Sequence, residues 1–238
     1  MRLGLAQMEL KLGDVAYNVQ KAKELLDDAK KERVDVLVFP EMANSGYYFD
    51  TYEEVKRYSE KIPAGPFSKE LVKWSRTGGL VVAGISEHAE DGLYNSAVMI
   101  AGGEHLGTYR KHHLYGPEKK WFLKGPIEPQ VIKYDGLIFS VIICFEWNYP
   151  ERVRTAAAKG AKLILHPVNS STYRWRDAMK TIAVDNSVFA ASANRVGKEG
   201  DYTFSGESSI INPNGKIILK MNSHSHQVGW LDIEELDH

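Results

Sequence analysis

Val141-Ile142-Ile143-Cys144-Phe145-Glu146-Trp147-Asn148-Tyr149-Pro150-Glu151 is the stretch from which the rest of the chain is read. Val141 to Ile143 close an apolar run, and beyond Cys144 a more polar, helix-starting run begins. A strand that stops abruptly before a helix is the repeating step of an α/β fold. Strand ends are where such folds present reactive groups, because the loops there are free while the strands stay fixed. Cys144 is the single cysteine of the chain and stands at this junction. A lone cysteine is ordinarily a small buried hydrophobe, so the question becomes which other side chains share its situation.

Outward from this stretch the apolar pattern alternates between strand and helix. On the N-terminal side, Leu3 to Met8 reads as a short strand, and Asn18 to Lys31 as an amphipathic helix with Val19, Ala22, Leu25, Leu26 and Ala29 on one face. Val34 to Phe39 is apolar at nearly every position, as expected of a strand buried on both faces. A helix opens at Thr51 with Glu54 in the capping-box position. Another spans Phe67 to Arg76 and closes at Gly78-Gly79. Leu80 to Ser86, Tyr94 to Ala101 and His105 to Arg110 follow as strands with no helix between them, so the sheet is expected to be mixed. His112 to Pro129 is irregular, aromatic and basic, and Val131 to Tyr134 pairs with Leu137 to Ile143 around Asp135-Gly136.

On the C-terminal side come a helix over Pro150 to Lys159, a strand over Leu163 to His166, a helix over Tyr173 to Asn186 and a strand over Val188 to Ala193. The remainder reads as β structure: Ser208 to Ile211, Lys216 to Leu219 and Val228 to Ile233. No linker, low-complexity segment or internal repeat is visible, so residues 1–238 are read as one α/β domain.

Composition excludes several functions. With 238 residues, 43% hydrophobic and 26% charged, the chain is ordinary globular protein. A formal net charge of −1 gives no global pull toward nucleic acid or anionic lipid. No segment reaches the roughly 18 uninterrupted apolar residues of a membrane span. The start, Met1-Arg2-Leu3-Gly4-Leu5-Ala6-Gln7, is too soon polar for a secretory signal. One cysteine forms no internal disulfide. The expectation is a cytoplasmic protein with neither a nucleic-acid nor a membrane partner.

Three expected strands end in ionisable residues: Glu41, Lys111 and Cys144. A carboxylate, an ammonium and a thiol suffice for acyl transfer. The carboxylate takes the thiol proton and passes it to a leaving amine, while the ammonium and a backbone N–H beside the nucleophile hold a developing oxyanion. Each also has a structural explanation: Glu41 as a cap or ion-pair partner, Lys111 as one charge of the basic run Arg110-Lys111-His112-His113.

At these positions the sequence resembles the nitrilase, or carbon–nitrogen hydrolase, superfamily. Phe39-Pro40-Glu41 resembles that family's general-base motif, Tyr109-Arg110-Lys111-His112-His113-Leu114 its lysine motif, and Ile143 to Glu151 its nucleophile motif. Gly13-Asp14 with Asn18, Tyr94-Asn95-Ser96-Ala97, His166-Pro167, Ala193-Asn194-Arg195-Val196-Gly197 and Phe204-Ser205-Gly206-Ser208 match in the family's order. The resemblance implies a four-layer αββα sandwich with two mixed β-sheets and a Glu41–Lys111–Cys144 triad without metal or organic cofactor. It makes Glu41 general base and then acid, Cys144 the nucleophile, and Lys111 with the Phe145 backbone N–H the oxyanion site. Glu118 falls where family members carry a second glutamate near the triad, with Glu128 as the competitor in a turn-like segment.

Pocket candidates are Trp147 and Asn169, next to motif positions, and the aromatic loop residues Tyr47, Tyr48 and Tyr115. The histidines His112, His113 and His166 have no adjacent Asn or Asp that would make a Cys–His pair, and His224-Ser225-His226 has no metal-binding cluster. Three positions depart from the family pattern: Glu146 replaces a common aspartate, Ser170-Ser171-Thr172 reshapes the pocket, and the chain stops soon after Glu234, where relatives carry a tail crossing a dimer partner. The resulting expectation is a hydrolase of small non-peptide amides, with nitriles or carbamoyl amides as alternatives, forming a homodimer or higher homo-oligomer. A non-catalytic binding domain of the same fold and a metal-dependent phosphodiesterase are the rivals from other classes.

Overall fold

Alternation of apolar side chains along the strands builds the molecule, and the computed structural model describes residues 1–234 and 236 of it. Six strands form the first sheet: β1 (Arg2–Gln7), β2 (Val36–Val38), β3 (Leu80–His88), β4 (Leu93–Ala101), β5 (Glu104–Arg110) and, from the far end of the chain, β14 (Gln227–Asp232). Their order across the sheet is β14-β1-β2-β3-β4-β5, with β1, β2 and β3 parallel and the outer pairs antiparallel. The second sheet comprises β6 (Val131–Tyr134), β7 (Leu137–Val141), β8 (Leu163–Val168), β9 (Phe189–Asn194), β12 (Ser209–Ile211) and β13 (Ile217–Lys220). Its order is β6-β7-β8-β9-β12-β13, again with three parallel strands inside antiparallel neighbours.

One face of each sheet points at the other. Val36, Val38, Leu80, Val82, Ala97 and Met99 from the first meet Phe139, Val141, Leu163, Leu165, Ala191 and Ile210 from the second in a shared core. The intervening residues point outward. Leu37, Val81 and Ile85 pack under α1 (Val15–Lys31) and α3 (Pro66–Ser75). Ile142, Ile164 and Ala190 pack under α5 (Pro150–Ala158) and α6 (Arg174–Asn186). The layers are therefore α, β, β, α, as the resemblance implied. Burying each of these larger side chains contributes about 1.5–3 kcal/mol before conformational entropy is subtracted, and the parallel strands are apolar at most positions because they serve two cores.

Two features were not anticipated. The sheets repeat one topology, although the sequence shows no repeat: strand, helix, strand, helix, strand, then an antiparallel excursion. Superimposing the order puts β1, β2, β3 and β4 in the roles of β7, β8, β9 and β12. Packing requires only apolar alternation at each position, so the two halves share a pattern without sharing residues. The irregular stretch after Lys111 also contains a short helix, α4 (Glu118–Trp121), and a small ribbon joins β10 (Lys198–Glu199) to β11 (Tyr202–Thr203). Elements this short carry too few residues for a periodic signal.

Several boundaries move. The first helix begins at Val15, three residues before Asn18, because Asp14 caps it by accepting from the Tyr17 N–H (3.0 Å). β3 runs on to His88, since its ladder with β4 continues to His88↔Leu93. β8 passes through Pro167 to Val168 because its pairing with β9 continues after β7 has ended. The capping box at Thr51 and Glu54 forms as expected and opens α2 (Tyr52–Tyr58).

Candidate active site

The C-terminal ends of the parallel strands in both sheets converge at one edge of the sandwich. Glu41 lies just beyond β2, Lys111 just beyond β5 and Cys144 just beyond β7. The space for Glu41 is made by Gly84 on the neighbouring β3: a Cβ there would stand 2.3 Å from the Glu41 Cα. The Glu41 N–H donates to the Val168 carbonyl (3.3 Å), a bond that crosses from one sheet to the other.

The Lys111 ammonium is fully buried and donates to Glu41 Oε1 at 2.6 Å and to Glu118 Oε1 at 2.8 Å. Asn95 Nδ2 donates to the same Glu41 oxygen at 2.7 Å, and the Lys111 N–H donates to the Asn95 carbonyl. Glu41 Oε2 is buried with no hydrogen-bond partner among the described residues. Glu118 is fixed in turn by the Tyr47 hydroxyl (2.5 Å) and the Tyr115 N–H (3.1 Å). Burial pushes the Tyr47 phenol well above its ordinary value, with the Glu118 charge adding to it, so the phenol stays a donor.

Desolvation and charge oppose each other across this cluster. Burial raises the Glu41 carboxyl above the usual range, and the Lys111 charge only partly offsets that. Desolvation pulls Lys111 down, but Glu118 and Glu41 together carry it above an ordinary lysine. Burial, followed by the Glu41 charge, lifts the Cys144 thiol well above its ordinary value despite Lys111. The resting sulfur is therefore a thiol beside a carboxyl group that can take its proton.

Cys144 occupies the left-handed region (φ 42°) as the first residue of a 3-10 turn, Cys144–Asn148. Its sulfur lies 3.7 Å from the Asn169 carbonyl oxygen. The Phe145 N–H, next along the turn, has no acceptor among the described residues. His166 touches the backbone of Cys144, not its thiol. Its Nε2 lies 3.0 Å from the Cys144 carbonyl oxygen and its Nδ1 2.9 Å from Ser192 Oγ. Burial lowers its pKa to about 4, so the ring is neutral and donates through Nε2. His112 bonds the Gly125 carbonyl and His113 stacks on Tyr149, neither of them toward the thiol.

Glu146 joins the lysine loop to the cysteine loop. Its buried carboxylate accepts from Tyr109 Oη (2.6 Å) and from the N–H groups of Ile143 (2.9 Å), His112 (3.0 Å) and His113 (3.2 Å). Burial alone would raise its pKa, but His113, Arg152 and Tyr109 together hold it below the usual carboxylate range. The glutamate side chain at this position thus reaches four donors.

A cavity of about 550 Å³ opens over Cys144. All five pocket candidates, Tyr47, Tyr48, Tyr115, Trp147 and Asn169, line it. Glu41, Lys111 and Glu118 are buried and do not line it, yet all three act electrostatically on Cys144. Glu128 pairs with Lys159 on the surface (2.9 Å), away from the cluster. Sequence reasoning missed Arg174 and Tyr202 in the lining, both exposed residues without a periodic or motif signal, and Tyr202 stacks on Tyr48 at 4.2 Å.

A family model described as carbon–nitrogen hydrolase matches residues 2–235. A protein of Pyrococcus abyssi named nitrilase is 35% identical over 235 residues, 98% of this chain and 90% of that one. Among solved structures, an amidase of the nitrilase superfamily from Nesterenkonia superposes with a TM-score of 0.85 at 26% identity, over 100% of this chain and 92% of its own. A further structure of that amidase, also at a TM-score of 0.85 and 26% identity over 100% of this chain and 91% of its own, shows covalent addition of the acetamide moiety of fluoroacetamide at its active-site cysteine. With the family matched across nearly its whole length, this chain belongs to the carbon–nitrogen hydrolases.

Proposed function

We propose that the protein hydrolyses the carbon–nitrogen bond of a small non-peptide amide through a thioester on Cys144. The carrying observation is the buried Glu41–Lys111–Glu118 cluster directly behind the one thiol at the floor of the cavity. Sγ attacks the amide carbonyl carbon as Glu41 takes the thiol proton. The oxyanion is held by the Lys111 ammonium and the Phe145 N–H, both of which exist before the reaction and need no reorganisation. Collapse breaks the carbon–nitrogen bond, and protonated Glu41 returns its proton to the nitrogen, which leaves as ammonia. Water then attacks the thioester with Glu41 again as base, releasing a carboxylic acid and restoring the thiol. Glu118, held by Tyr47, keeps Lys111 charged and aimed.

The name of the Pyrococcus abyssi relative favours nitriles as a second reading on the same residues. Both are tested by ammonia release from a panel of amides and nitriles alongside iodoacetamide labelling of Cys144. A thiol no faster than free cysteine, with no ammonia from any compound, sinks the enzyme reading. Glu41→Gln is the sharper probe. Glu41 Oε1 accepts both hydrogen bonds while Oε2 accepts none, so a glutamine oxygen in place of Oε1 keeps both while removing the base and its charge beside Lys111, which Glu118 still pairs. Turnover should vanish with the circular dichroism spectrum unchanged; retained activity refutes the assignment. The reading also includes a cytoplasmic homodimer or higher homo-oligomer, for which sedimentation at micromolar concentration should show a species larger than 26.8 kDa.

A further inference from the structure

The wall of the cavity away from Cys144 carries a charge that the hydrolytic chemistry does not use. Among the described residues Arg174 is the only charged one lining the cavity, and no acidic side chain lines it. It makes no ion pair among the described residues. Its neighbour Arg176 is bound to Glu207, and Asp177 in the same helical turn pairs with Lys180 (2.9 Å). Arg174 is also the first residue of α6, a helix of 13 residues whose N-cap, Tyr173, supplies no side-chain acceptor. The N–H groups of Arg174 and Trp175 are without acceptors among the described residues, so the positive end of the helix dipole adds to the guanidinium.

Asn169 is an independent sign that this part of the cavity is built for a ligand. It is 8% exposed and lines the same cavity, yet neither its Oδ1 nor its Nδ2 has a hydrogen-bond partner. Leaving a buried amide unsatisfied is unfavourable, a cost that a polar ligand would remove. Asn169 stands between the thiol, which its own carbonyl touches, and the segment Ser170-Ser171-Thr172 that leads to Arg174.

We infer that Arg174 and the N-terminus of α6 form a carboxylate subsite, so that the substrate is an amide whose acyl chain ends in a carboxylate. This rests on the amidase reading above and names the substrate class of that site. The scissile amide lies over Cys144, the chain passes the aromatic wall and Asn169, and the distal carboxylate meets the guanidinium. Release of ammonia then leaves a dicarboxylate. An ammonium at the distal end would face Arg174 with no carboxylate lining the cavity to receive it.

The test uses length-matched amides that differ only in the terminal group: succinamate, butyramide and β-alaninamide, together with the set one methylene longer. The carboxylates should exceed their neutral partners in kcat/KM by about tenfold or more, the worth of one charge-assisted pair, and the ammonium compounds should rank last. In Arg174→Gln the carboxylate-to-neutral ratio should fall toward one, and Arg174→Lys should restore part of it. Equal rates for all three charges, a preference for the ammonium compound, or a ratio unmoved by Arg174→Gln overturns the subsite. Binding to Cys144→Ala by calorimetry decides the matter without turnover, since succinamate and succinate should bind more tightly than butyramide and butyrate only while Arg174 is present. If no amide is hydrolysed, the amidase reading falls while this binding difference still upholds or removes the carboxylate site.

Discussion

At Cys144 three physical effects meet in one residue: a left-handed backbone, a protonated thiol and a neighbouring carboxyl group displaced upward by burial. A non-glycine residue at φ 42° costs about 1–3 kcal/mol that surrounding structure must overcome, and the Glu146 bonds to the Ile143 N–H and the lysine loop are what hold the turn there. Burial raises both groups, so in the proposed mechanism Glu41 must be ionised before it can act as base. The acid limb of kcat/KM should therefore lie above the ordinary carboxylate value, with activity lost as pH falls through the raised Glu41 pKa. A limb at or below about 4.5 would refute it. His166 gives the corresponding stability prediction. It is neutral when folded, with its pKa lowered to about 4, but takes a proton near 6.5 when unfolded. Stability should fall as pH drops through that window, by about 3 kcal/mol in all. Urea midpoints of the wild type should show this slope between pH 6.5 and 4, and His166→Gln should flatten it.

At the scale of the element, strand ends position the chemistry and glycine sets how closely they approach. Gly84 lies in β3, yet the space it leaves is occupied by Glu41 Cα and the Pro40 carbonyl oxygen. Both neighbours are backbone and neither can swing aside. Gly84→Ala should therefore displace the base as well as strain the sheet, costing about 1–3 kcal/mol of stability and a larger fraction of kcat than of folded protein. Full kcat in the folded variant would disprove the link. This also explains what could be read beforehand. Glu41 and Cys144 were legible because strands buried on both faces stop visibly, whereas Lys111 follows the half-exposed edge strand β5 and stood out through the basic run Arg110-Lys111-His112-His113 that closes it. Arg174 and Tyr202 were not, since an exposed residue at a helix start or in a two-residue strand carries no periodicity. Asn18 illustrates a third case. Its side chain pins Lys11 and the Asn44 carbonyl from inside α1, so a residue that looked like the helix start is a buried anchor.

At the scale of the molecule, the site lies between two topologically similar halves, and neither half holds it alone. Glu41 and Lys111 come from the first sheet and Cys144 from the second. Their separation is set by the core between the sheets and by a few bonds crossing it. Gln7 Oε1 accepts from Ser208, the Val196 N–H reaches the Met8 carbonyl, and β14 returns from the second half to pair with β1. The layered class could be expected from the sequence, but the repeat could not, because the shared core demands apolar volume at each position and not the same residue in both halves. A site assembled in this way requires both sheets to fold as one unit. Leu165, fully buried on β8, packs in the shared core. Leu165→Ala should cost about 2–5 kcal/mol, and the loss should appear equally in both halves. Urea unfolding followed by far-ultraviolet dichroism, by near-ultraviolet dichroism and by iodoacetamide access to Cys144 should give one coincident transition in the wild type and one, shifted, in the variant. If thiol exposure preceded the loss of secondary structure in Leu165→Ala, the halves would be separable. The triad geometry would then depend on local contacts such as those of Glu146, not on the core between the sheets.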